Sequence, residues 1–122
     1  MKTTQKQFSI FKDAATQFID LFGLKSWDVY INLAPCETPS SIAECSWDPE
    51  NRCASITLND KYDIKLYKLT DEYLRRYAKH EVIHILLSPI HDELRKAMVH
   101  EKIILTLIHS LSAVIENIAF GE

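Results

Sequence analysis

Nowhere in the 122 residues do eighteen apolar side chains run together, so no helical membrane span is expected. Positive charge is not in excess either. The formal net charge of −3 argues against nucleic acid or an anionic membrane surface as a partner. Met1 to Gln7 lacks the apolar segment of a secretory signal. Cys36, Cys45 and Cys53 form no C-x-x-C pair, which removes the usual thiolate zinc site. Their odd number and irregular spacing suit reduced thiols in a cytoplasmic protein. Cys45 and Cys53 flank a turn and could face each other across a hairpin, but free thiols are the expectation. Repeats, low-complexity tracts and linkers are also missing. What remains is an ordinary globular composition, 47% hydrophobic and 25% charged, that fits one domain over residues 1–122.

The patterning gives an order of elements. From Gln7 to Phe22, Phe8, Phe11, Ala15, Phe18, Ile19 and Phe22 recur at helical spacing, and Gly23 stands where a helix ends. Trp27 to Leu33 alternates as a half-buried strand. Ala34 to Ser41 reads as a loop, and Ser41 to Asn59 as a hairpin. The hairpin arms are Ile42 to Trp47 and Arg52 to Asn59, joined by the turn chemistry of Asp48-Pro49-Glu50-Asn51. After a charged connection, Thr70 caps a helix that begins at Asp71 and is expected to stop near Ser88, with Pro89 ending it. A last helix is expected from Asp92 to about Phe120. The sum is a small α+β domain with an N-terminal helix, an antiparallel three-stranded sheet, a central helix and a long C-terminal helix.

The central helix carries His80-Glu81-Val82-Ile83-His84, an H-E-x-x-H motif. Residues four apart on a helix stand nearly above one another, so both imidazoles leave one face and can fill two corners of a tetrahedral zinc site. Glu81 lies on the flank of that face, where it can act as general base on water without being a ligand. The plainer alternative makes His80 a core histidine, pairs Glu81 with Lys79 or Arg75, and leaves His84 incidental. The helical context and the strand upstream favour the metal. The strand from Ser55 to Asn59 offers an edge for a substrate peptide. Tyr73 and Tyr77 project near the motif face and read as cleft wall. His91 reads as a loop residue, and His109 as exposed on the polar side of the last helix.

His80 to Leu87 together with Val99-His100-Glu101-Lys102-Ile103-Ile104 resembles the small phage- and prophage-type zinc metallopeptidases, in layout a minimal zincin. The resemblance implies a zinc-dependent hydrolase with Zn2+ as cofactor, and the motif itself reads as a peptidase site acting on a peptide or protein substrate, with Glu81 as base. A catalytically silent zinc-binding structural or interaction module, phage-related in its partners, is the alternative. The metzincin pattern fits less well, since its glycine falls on Leu87 and its third histidine on Ile90. For the third ligand, a helical wheel counted from Ala97 puts both His100 and Glu101 inside the apolar arc. His100 is nearer the centre, whereas Glu101 keeps the His-His-Glu set the resemblance implies. Glu101 is therefore the expected third ligand, with His100 as its competitor.

Overall fold

Thr4 opens the first helix, α1 (Gln5–Leu21), with a reciprocal cap. Its hydroxyl accepts the Gln7 N–H at 3.1 Å, and the Gln7 side chain accepts the Thr4 N–H at 2.8 Å. Phe11, Ala14, Ala15 and Phe18 form its buried stripe. The helix ends as the sequence indicates. Gly23 takes φ +74°, its N–H bonds the Asp20 carbonyl, and the Leu24 N–H bonds that of Ile19. The computed structural model describes residues 1–118, so Ala119 and Phe120, where the last helix was expected to finish, lie outside the described residues.

Strands β1 (Asp28–Ala34), β2 (Ala43–Asp48) and β3 (Cys53–Asn59) form one sheet in the order β1-β3-β2. β2 and β3 make the expected hairpin, and Arg52 takes a left-handed φ of +50° at its turn. The sheet is mixed, not antiparallel throughout: β1 runs parallel to β3, with Asp28 opposite Cys53 and Ala34 opposite Asn59. Alternation fixes which side chains face the core but not which edge a strand joins. Here the loop from Pro35 carries the chain past β3's place, and β1 pairs with the hairpin's second arm. β3 is thus central, with both edges taken, so it cannot receive a peptide as expected. β2 is the outer strand beside the central helix. Cys45 pairs with Ile56, and Cys53 with Asp48, so the two thiols are not opposite, and all three cysteines are free.

The central helix, α2 (Asp71–Lys96), starts at Thr70, whose hydroxyl accepts the Tyr73 N–H. Asp71 and Glu72 at one end, and Arg95 and Lys96 at the other, suit the helix dipole. It does not stop at Pro89. Proline has no N–H for the Ile85 carbonyl, and the fully buried Ser88 hydroxyl donates to that carbonyl instead, at 2.7 Å. The real end lies at Ala97, where Met98 takes φ +61°. The Met98 N–H bonds the Arg95 carbonyl and the Val99 N–H that of Leu94. Left-handed φ costs a side-chain residue about 1–2 kcal/mol, of which glycine's extra freedom in the unfolded chain takes back part. Met98 is 91% exposed, so little packing is at stake. Met98→Gly is expected to stabilise by about 0.5–1 kcal/mol in denaturant melts, and no gain would remove strain from this helix end.

Helix α3 (Glu101–Asn117) begins only after this break and returns along α2. Residues 92–96 therefore belong to α2, not to the last helix. The main core joins Phe11 and Phe18 of α1, Ile56 and Leu58 of β3, and Leu74, Val82 and Ile85 of α2. A second cluster, Ile83 and Leu87 with Ile104 and Ile108, docks α3 on another face of α2. The architecture is α+β, and among the described residues no helix is long and apolar enough to cross a membrane.

Candidate metal centre

Between these two buried faces, α2 presents His80 and His84. Their Nε2 atoms stand 3.2 Å apart, with the rings nearly perpendicular at 82°. Glu116, near the end of α3, places Oε1 2.6 Å from His80 Nδ1. A carboxylate oxygen accepts, so His80 donates from Nδ1, and its other ring nitrogen, Nε2, is the one turned towards His84. That end of α3 is held by Lys79, a buried lysine whose Nζ donates to the Glu116 main-chain carbonyl at 3.0 Å. Burial, then the nearby His80, His109 and His91, pushes the His84 imidazole down to about 4, so it is neutral near pH 7.

Glu81, one residue on from His80, turns the other way. It is buried and borders a cavity of about 490 Å3 between α2 and β2, which Glu44, Cys45, Trp47 and His84 also line. Burial pushes its carboxyl up to about 7. The His80 charge works against that shift, while Glu44 and Glu116 add to it. Burial also raises the Cys45 thiol well above its ordinary range, so the sulfur in this cavity is no thiolate. Trp47 lies parallel to His84 with ring centres 6.0 Å apart, and its Nε1–H donates to Asp92 at 3.2 Å. Behind it, His91 meets the indole at 5.2 Å, edge to face. Trp47 holds this wall of the cavity, a role that its place in an alternating strand did not reveal.

The histidine pair fits a metal. Tetrahedral zinc with Zn–N of about 2.0–2.1 Å needs its nitrogens about 3.3 Å apart, and these stand at 3.2 Å. Among the described residues, however, no three histidine, cysteine or carboxylate side chains already stand close enough to hold a metal together. The expected third ligand is not brought to the pair. Glu101 is half exposed and faces Arg95 at 3.3 Å and His91 Nε2 at 3.9 Å. His100 is the N-cap of α3, its Nδ1 accepting the Lys102 N–H. The reason is the phase of the wheel. Ala97 closes α2, and the left-handed Met98 breaks the rotation, so angles counted from Ala97 do not carry into α3.

Other expectations shift with the helix boundaries. His91 is not a loop residue but a buried one inside α2, with its Nδ1 lacking a partner. Tyr77 donates its hydroxyl to the Lys68 carbonyl and packs against Tyr73 and Tyr67, which makes these rings wall. Arg75 reaches Gln17 rather than Glu81. His109 is exposed as expected, yet its ring centre lies 6.4 Å from that of His84. Glu116 was missed. Counting within α3 alone finds it, because His109 and Glu116 are seven residues, about two turns, apart on one face. No protein-family model, curated protein or solved structure matches the chain.

Proposed function

We propose that this chain is a zinc-dependent peptide-bond hydrolase of minimal zincin type, akin to the small phage- and prophage-type zinc metallopeptidases. One observation carries the reading: two imidazole nitrogens stand at tetrahedral-zinc spacing, and the buried Glu81 carboxyl group of the same helix shares a cavity with one of them, His84. His80 and His84 hold the metal, which when bound supplies Lewis acidity that polarises a carbonyl and acidifies water. The chain does the rest. Glu81 takes the proton of the attacking water and passes it to the leaving amine, and an acid titrating near 7 suits both transfers. The cavity beside β2 receives an extended peptide or protein substrate, with the outer edge of β2 in the role expected of β3. Three free thiols are compatible with a reducing, cytoplasmic setting.

A second reading, a zinc-binding interaction module without turnover, draws on α3. Ile103, Leu107, Leu111 and Val114 are each more than two-fifths exposed along its outer side. Elemental emission on protein purified without a histidine tag tests the metal common to both. About one zinc per chain is expected, and none in His84→Ala. A wild type that neither retains nor takes up zinc removes both readings.

A further inference from the structure

We infer that α3 completes the metal centre, with His109 as third nitrogen donor and Glu116 as the carboxylate that orients His80; this rests on His80 and His84 being zinc ligands. The two α3 residues share a helix face, and the structure places them at different parts of the site. Glu116 bonds His80 through Nδ1, the ring nitrogen that is not turned to His84. A carboxylate in that position fixes the tautomer and the ring, as such groups do behind metal-bound histidines.

His109 stands next to the His84 ring. Imidazoles on one tetrahedral zinc have ring centres about 5 Å apart, as follows from the Zn–N length and the tetrahedral angle. The His80 and His84 rings stand at 4.8 Å, and those of His84 and His109 at 6.4 Å. The shortfall is little more than 1 Å, and the exposed His109 side chain can close it by turning about its own χ angles. Alternatives are less well placed. His91 lies seven residues past His84, about 10 Å along the helix, and Trp47 contacts both rings. Glu101 is engaged with Arg95 at the opposite end of α3.

Ser112 supplies an independent sign. It lies on α3 between His109 and Glu116, is 2% exposed, and its hydroxyl has no partner. The hydroxyls of Thr106 and Ser110, by contrast, turn back to carbonyls one turn earlier. A buried hydroxyl left open on that side of the helix marks a polar environment still to be completed.

The test is binding, not turnover. Chelator-stripped protein is titrated calorimetrically with zinc alone, and with cobalt(II) alone while its visible ligand-field bands are recorded. His109→Ala is expected to weaken zinc at least 100-fold and change the cobalt spectrum, while melting like the wild type in chelator. Glu116→Ala is expected to lose about 10- to 100-fold with the cobalt spectrum kept. Glu116→Gln should recover most of that loss, because the amide oxygen still accepts from Nδ1. Glu101→Ala should change nothing. Unchanged affinity in His109→Ala overturns the inference, as does a cobalt spectrum altered by Glu116→Ala but not by His109→Ala. Binding that needs His80 and His84 but not His109 sinks only this inference. Failure of the wild type to bind either metal sinks the functional reading, and this inference with it.

Discussion

Given zinc at about 100 times its dissociation constant, the metal-stripped protein is expected to gain about 2.7 kcal/mol and to melt about 10 °C higher. The gain arises because the native chain holds two nitrogens at the right spacing before metal arrives, and the unfolded chain does not. His80 Nε2 is aimed by the Glu116 bond on Nδ1, and His84 is already neutral. His84 has no proton to lose near pH 7, so most of the binding free energy appears as folding free energy. His80→Ala separates this from a packing effect. The His80 side chain is 40% exposed, so its loss should cost the metal-free protein little. The zinc response, however, should vanish. A melting curve that does not respond to zinc or chelator in the wild type refutes the site outright.

The parts of this fold that could be read from the sequence are those whose signals are local. Gly23, the Asp48–Asn51 turn and the start of α2 each depend on residues a few positions apart. Three features escaped for the opposite reason. Strand direction in β1 is decided by which edge of the hairpin is open, a property of the sheet. Pro89 normally marks a helix end, and only the Ser88 hydroxyl at the Ile85 carbonyl lets α2 continue. The true end carries methionine where glycine or asparagine would have announced it.

The site follows the same division. His80, Glu81 and His84 lie on one helix, so their relative directions follow from 3.6 residues per turn. That Glu81 faces the sheet-side cavity while His80 faces α3 is a consequence of the same spacing. Placing residues on α3 needed the phase of a second helix, and α3 starts at Glu101, nine residues later than expected, so the wheel angles of Glu101 and His100 did not carry over. His109 looked merely exposed because exposure alone does not say what is nearby.

Glu81→Gln is expected to keep zinc and lose turnover on an unstructured protein substrate by about 10²- to 10⁴-fold, because the amide cannot take the proton from water. The same variant should be more stable than the wild type above neutrality. Burial, with Glu44 and Glu116 adding and His80 opposing, lifts the Glu81 carboxyl from 4.5 to about 7. The folded state therefore prefers the acid form: stability present below pH 4.5 is lost as pH rises to about 7, by about 3 kcal/mol. His84 works in reverse. It is lowered from 6.5 to about 4 by burial and by His80, His109 and His91, so it loses a similar amount as pH falls from 6.5 to about 4. Across the shared window the two slopes oppose, so these two groups leave the metal-free wild type nearly level. Glu81→Gln removes one slope and leaves the other. Metal-free Glu81→Gln should gain stability from pH 4 to 6.5 and exceed the wild type at pH 8 by about 3 kcal/mol in urea melts. Glu81 is thus held where its ionised form costs stability. Wild-type cleavage by Glu81→Gln would remove it as the base, and lower stability than the wild type at pH 8 would show that the folded protein favours its ionised form.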